Sequence, residues 1–299
     1  MTGPGYEASH VLSDGRVIEY WEGGDPDGRG VVLHPGTPAS RVLGRWGHEP
    51  AGRAGVRLVS VNRPGYGGST VTTSDAPSLL AVGKDTAALA AHLGLQEYAV
   101  LGISGGGPFA VATAVADPGA VRALGVAGGV GPWRLLDGEP LDDPGELACL
   151  ALLDAGDIVG AWAAYLRLGE REFGHFRSLD DAARVDAMLE DDPSPLIHDE
   201  GYRAVWAEAL RVVLGGFDGY VFDQLAFAGL TWDVDPRDAE APALLWYGEA
   251  DEGCPPTYGR WYAERIAGSH LTVFPGEGHL DVCDGHWPEV LAGLLRVWR

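Results

Sequence analysis

The chain has 299 residues, 46% hydrophobic and 21% charged, which is enough apolar material for one large domain or two modest ones and too ordinary a mixture for disorder. Its net charge is −22 and Lys84 is its only lysine, so its surface repels phosphate backbones and anionic lipid, and neither a nucleic acid nor a membrane is expected as a partner. The opening MTGPGYEASH lacks the basic and apolar regions of a signal peptide, no apolar run reaches the length of a membrane span, and Cys149, Cys254 and Cys283 are scattered without C-x-x-C pairing; a cytoplasmic location is expected, with neither a disulfide framework nor a zinc site.

A hairpin comes first, with His10-Val11-Leu12 and Val17 to Trp21 flanking the turn dipeptide Asp14-Gly15. Short apolar runs then predict buried strands at Val31 to Leu33, Val56 to Val61 and Tyr98 to Ile103, with a helix over Thr86 to Leu95 between the last two. The run Gly102-Ile103-Ser104-Gly105-Gly106-Gly107 leads into PFAVATAVADP, a predicted helix with Pro108 in its first turn, and a further strand is expected near Val121 to Val126. Strands alternating with helices imply an α/β fold with a mostly parallel, doubly wound sheet.

From residue 132 to residue 236 the strand signal stops. Helices are predicted over Gly145 to Asp154, Ile158 to Leu168, Leu179 to Leu189 and Tyr202 to Leu214. Strands return at Ala243 to Tyr247 and His270 to Phe274, and a last helix runs from Trp287 to Trp298. The organisation expected is therefore an α/β core over residues 1–131, a helical cap over 132–236 and the rest of the core over 237–299.

A G-x-S-x-G run is weak evidence by itself in a chain with 45 glycines. The context of Ser104 carries more. It follows a strand and opens a helix, as a strained nucleophile elbow requires, and small neighbours let the helix pass close to the strand. A serine hydroxyl needs a base, and the base needs an orienting acid. In this strand–turn–helix setting the chain order is Ser, acid, His. Asp251, just past the Leu245 to Tyr247 strand, and His279, in the Gly276-Glu277-Gly278-His279-Leu280 loop past the last strand, satisfy that order. Both would share with Ser104 the C-terminal strand edge, where open α/β sheets bind ligands. The oxyanion of a tetrahedral intermediate needs preorganised donors, and the backbone N–H groups of Gly105 and Thr37 are the candidates. Gly36 would let the backbone approach the substrate.

The segments HPGTPAS (34–40), NRPGYGGS (62–69), GISGGGPFA (102–110), LLWYGEADEGCPP (244–256) and FPGEGHLDV (274–282) resemble the α/β-hydrolase superfamily. The similarity is to its capped serine-hydrolase branch of esterases, lactonases, C–C hydrolases and proline-iminopeptidase-like enzymes, and it covers essentially the whole chain. Relatives usually carry His-Gly at the oxyanion loop, whereas here Pro35 precedes Gly36 and His34 stands one place earlier. Asn62 stands where many relatives have aspartate. The resemblance implies hydrolysis of a small carboxylic ester or lactone through an acyl-enzyme on Ser104, a small-molecule substrate, and no metal or organic cofactor. It leaves open a proline-iminopeptidase-like aminopeptidase or amidase, a C–C bond hydrolase, a cofactor-free perhydrolase and a non-catalytic binding member of the fold. A dehalogenase is disfavoured, because that chemistry uses aspartate at the elbow. The sequence does not separate monomer from homodimer.

Plainer readings stand beside these. Ser104 could be a loop serine, Asp251 a turn residue replaceable by Glu249 or Glu252, and His279 a surface histidine like any of the other eight. His34 reads as a structural residue and Arg63 as a loop brace. Tyr66 is a candidate pocket wall and substrate contact. Cys254 and Cys283 read as packing. Aromatics of the helical segment, such as Trp162, Tyr165, Trp206 and Phe227, divide between core and pocket wall. Glu190-Asp191-Asp192 reads as a solvated turn.

Overall fold

Eight strands form one sheet: β1 (Tyr6–Val11), β2 (Val17–Gly24), β3 (Arg29–His34), β4 (Val56–Val61), β5 (Tyr98–Ile103), β6 (Val121–Ala127), β7 (Ala243–Gly248) and β8 (His270–Phe274). They lie in the order β1-β2-β4-β3-β5-β6-β7-β8. The structure, a computed structural model, describes residues 5–136, 143–190 and 192–298. β2 runs antiparallel to both β1 and β4, and every other neighbouring pair is parallel. Central strands of a parallel sheet are covered on both faces and read as unbroken apolar runs. Accordingly, every residue of β5 and of β7 is buried.

Helices cover the two faces. On one lie α2 (Leu79–His92), α3 (Gly107–Ala116) and α10 (Pro256–Ala263), packing Leu89, Val111 and Tyr262 against Val32, Val100 and Leu245. On the other lie α1 (His48–Ala54) and α11 (Trp287–Val297), packing Ala51, Leu291 and Leu294 against Val31, Leu101 and Leu244.

Between β6 and β7 the described chain is helical: α4 (Trp133–Leu136), α5 (Pro144–Asp154), α6 (Ile158–Phe173), α7 (Asp181–Leu189), α8 (Glu200–Val213) and α9 (Asp218–Phe227). Part of the chain's acidity is spent on starting these helices. The side chains of Asp143, Asp157, Asp180 and Asp199 accept N–H groups in the first turns of α5, α6, α7 and α8, each worth about 1 kcal/mol. Two apolar clusters tie the segment to the sheet domain. One joins Trp162, Tyr165, Val221 and Phe227 to Tyr66, Leu79 and Phe109. The other joins Val185, Leu189, Tyr202 and Trp206 to Ala39, Leu43 and Leu280. The sheet's C-terminal edge lies beneath them.

The predicted strands correspond to observed ones to within a few residues. α1, α4, α9 and α10 were not anticipated, and α2 begins well before Thr86. The N-terminal four residues of MTGPGYEASH lie outside the described residues. Among those described, no helix is long and apolar enough to cross a membrane.

Candidate active site

β5 delivers Ser104 onto a turn where its φ is 53°; among the described residues it is the only non-glycine with positive φ. That left-handed conformation is strained for a residue with a Cβ and lifts the side chain clear of the sheet. The surrounding glycines have a steric reason. A methyl group on Gly106 would collide with the His34 carbonyl, and one on Gly105 with the Thr37 side chain. The elbow is thus pressed against the loop that follows β3, and α3 starts just beyond it, at Gly107.

Asp251 and His279 stand on the loops after β7 and β8. His279 Nδ1 lies 2.6 Å from Asp251 Oδ2, and His279 Nε2 lies 2.9 Å from Ser104 Oγ. A carboxylate can only accept, so Nδ1 carries the proton and Nε2 is left with a lone pair for the serine hydroxyl. Asp251 is buried, and its other oxygen accepts the Cys254 N–H at 2.8 Å. Burial works to lower the His279 pKa. The hydrogen bond and charge of Asp251, joined by the charges of Asp192 and Asp284, outweigh it and hold the value above that of an ordinary histidine. The alternatives Glu249 and Glu252 are not brought to His279: Glu249 Oε2 instead accepts the Gly276 N–H.

Ser104 and His279 open onto a cavity of about 200 Å³. Gly36 and Thr37 line it from the sheet domain, and Met188, Leu189, Asp192 and Trp206 from the helical segment. Gly36 abuts Ser104, since a Cβ there would sit 3.2 Å from Ser104 Cβ. Among the described residues, the Thr37 N–H makes no hydrogen bond to another group.

The loop carrying Gly36 and Thr37 is fixed by a buried ion pair. Arg63 donates to the Pro35 carbonyl and, at 2.7 Å, to the Gly36 carbonyl, and its Nη2 lies 2.6 Å from Asp223 Oδ2. Asp223, on α9, also accepts the Thr37 hydroxyl at 2.5 Å and the Tyr66 hydroxyl at 2.8 Å. Tyr66 is therefore not a pocket wall. It is buried, with its hydroxyl committed to Asp223, and lies outside the lining of the cavity at Ser104. Arg63 braces the loop and His34 is a hydrogen-bonded structural residue, as each was read from the sequence. His34 is buried, with Nε2 3.1 Å from Thr113 Oγ1, and burial together with the Arg63 charge pushes its pKa down to about 3. Asn62 accepts the Arg41 N–H and donates to Glu19, contacts that are structural.

Three polar groups near the site were missed or misread from sequence. Asp223 had a signal, because a lone carboxylate in the apolar run GYVFDQLAF must find a partner if the helix is buried. Asp284 stands one residue beyond Cys283, which itself lines the cavity with Sγ 3.7 Å from His279 Nε2. Asp192 was taken as part of a solvated turn. It is half-buried in the cavity wall, with Oδ2 accepting the Leu280 N–H at 3.2 Å. Asp191 lies outside the described residues. Among the described residues, no group of three or more His, Cys, Asp or Glu side chains is placed to hold a metal ion.

A family model described as the alpha/beta hydrolase family matches residues 31–293. No curated protein matches the sequence. Solved structures do match. An alpha/beta hydrolase fold protein from Nakamurella multipartita superposes with a TM-score of 0.65 at 22% identity, over 98% of this chain and 99% of that one. An esterase (EaEST) from Exiguobacterium antarcticum gives 0.65 at 22%, over 97% and 98%. A thermophilic esterase from Thermogutta terrifontis gives 0.67 at 18%, over 99% and 100%. At such identities these likenesses establish the fold.

Proposed function

The chain belongs to the alpha/beta hydrolase family, and from that premise we propose that it is a serine hydrolase that cleaves a small carboxylic ester or lactone through an acyl-enzyme on Ser104. The observation that carries this reading is the relay from Ser104 Oγ to His279 Nε2 at 2.9 Å and from His279 Nδ1 to Asp251 at 2.6 Å, set at the wall of a cavity. The esterases of similar fold support the choice of reaction.

In this mechanism Ser104 Oγ attacks the carbonyl carbon while His279 Nε2 takes the hydroxyl proton. Asp251 stabilises the imidazolium. The carbonyl oxygen becomes an oxyanion held by the Thr37 and Gly105 N–H groups, each such donor being worth about 2.7–4 kcal/mol. Collapse breaks the C–O bond and expels the alkoxide, which receives the proton from His279 and leaves as the alcohol, or stays tethered when the substrate is a lactone. Water then attacks the acyl-enzyme with His279 again as base, releasing the acid and restoring Ser104. Residues 132–236 act as a cap: Met188, Leu189 and Trp206 wall the cavity and limit access of bulk water. A cavity of about 200 Å³ favours small acyl and alcohol groups.

The test is hydrolysis of p-nitrophenyl esters from acetate to octanoate beside prolyl p-nitroanilide. Cleavage of the short esters is expected, with loss of about a million-fold in kcat in Ser104→Ala. Undiminished cleavage by Ser104→Ala would remove Ser104 from the mechanism. Cleavage of the anilide alone would make the protein an aminopeptidase or amidase.

A further inference from the structure

We infer that the Ser104 cavity selects esters whose alcohol carries a positively charged amine, with the cation resting against Asp192 and Asp284. This rests on the hydrolase reading above and names its substrate class.

Among the described residues, two carboxylates line the cavity and no arginine or lysine does. They come from different parts of the chain. Asp192 follows α7 in the helical segment, and Asp284 follows His279 in the sheet domain. Asp192 is held by backbone donors only, with Oδ1 accepting from Ser194 at 2.9 Å and Oδ2 from Leu280 at 3.2 Å. Asp284 is 6% exposed, and its Oδ2 accepts the Tyr202 hydroxyl at 2.6 Å. Among the described residues neither forms an ion pair with an arginine or lysine. A buried carboxylate without an arginine or lysine beside it is costly, and burial pushes the Asp284 pKa up to about 6 despite the Tyr202 hydrogen bond and the His279 charge. An alkylammonium supplies the missing countercharge, and an anionic substrate would face two repelling groups.

A second observation lies on the same lining. Trp206, 8% exposed, walls the cavity from the helical segment. Its ring offers a cation an aromatic surface. An amino-alcohol ester carries such a cation a few bonds from the carbonyl that Ser104 would attack.

The base also benefits. The groups acting on His279 are Asp251, Asp192, Asp284, the Cys283 thiol and the Ser104 hydroxyl. The three carboxylates favour imidazolium, which cannot accept the serine proton. A bound cation opposes them and returns His279 toward its basic form.

The experiment compares acetylcholine with its uncharged isostere, 3,3-dimethylbutyl acetate, using the whole protein at low salt. The expected kcat/KM ratio is about tenfold or more in favour of the cation, which at this scale corresponds to one well-placed countercharge. It should fall severalfold in Asp284→Asn and approach unity in Asp192→Asn/Asp284→Asn. The acid limb of kcat should lie at lower pH for the charged ester. Equal kcat/KM values in wild type would overturn the inference whether or not the variants fold, as would an undiminished ratio in folded variants. Calorimetric titration of Ser104→Ala with tetramethylammonium chloride, against neopentyl alcohol, separates binding from chemistry. Saturable binding of the cation alone is expected. If it occurs but wild type hydrolyses no ester, the hydrolase reading fails and the cation site stands. If esters are cleaved without charge preference and the cation does not bind, the reverse holds.

Discussion

His279 works between opposing influences. Burial favours its neutral form, while Asp251 at 2.6 Å and the more distant Asp192 and Asp284 favour imidazolium and prevail. In the proposed mechanism only the neutral form accepts the Ser104 proton, so activity toward an uncharged ester should be lost as pH falls through the raised value. The acid limb of kcat/KM should therefore lie above 6.5, histidine's ordinary value, and move down in Asp192→Asn. A pH–rate profile measures this directly, and a limb below 6.5 would contradict it. Conversely, the stability that protonated His279 gains in the fold is fully present below its unfolded value and lost as pH rises through the folded one. At this scale the sequence was most informative about Ser104, Asp251 and His279, because each sits in a short run whose neighbours and order restrict its place. Tyr66 and Asp192 were misjudged because nothing local in NRPGYGGS or EDDPS says which way a side chain faces. Tyr66 turned inward to Asp223, and Asp192 was drawn into the wall by backbone donors 2 and 88 residues away in sequence.

α9 is the element on which the loop after β3 depends. Its Asp223 meets Arg63, Thr37 and Tyr66 at once, and Arg63 in turn holds the Pro35 and Gly36 carbonyls. Both charges are essentially inaccessible, with side-chain exposures of 1% and 0%. Removing one partner strands the other, so Asp223→Ala should cost about 3–5 kcal/mol, read from urea unfolding. It should also lower kcat more than it raises KM, because what loosens is the loop proposed to hold the oxyanion. An unchanged unfolding midpoint would show that the pair is not the brace described. α9 escaped prediction because it is buried over most of its length and so lacks the one-sided apolar stripe that marks a surface helix. α1 and α10, with 7 and 8 residues, are too short for a period to emerge. The strands were easier: β5 and β7 are buried on both faces, and continuous apolar runs bounded by glycine are conspicuous in any sequence.

Over the whole molecule, the candidate site exists because two bodies of sequence meet. The sheet brings Ser104, Asp251 and His279 to one edge from three loops spread over 175 residues, and the helices between β6 and β7 pack over them through two apolar clusters. Chain order and strand ends made the first part readable in advance. The cavity was not readable, since it depends on how helices with no sequence relation to the sheet settle on it. The net charge of −22 acquires a local meaning there, because two of those negative charges line the cavity onto which Ser104 opens. Ser104 is proposed to form a covalent intermediate, and intact-protein mass spectrometry with peptide mapping after exposure to a small fluorophosphonate tests this. One adduct per chain is expected, on Ser104, absent in Ser104→Ala and formed far more slowly in His279→Ala. An adduct elsewhere, or ester hydrolysis by folded protein whose Ser104 never labels, would contradict it.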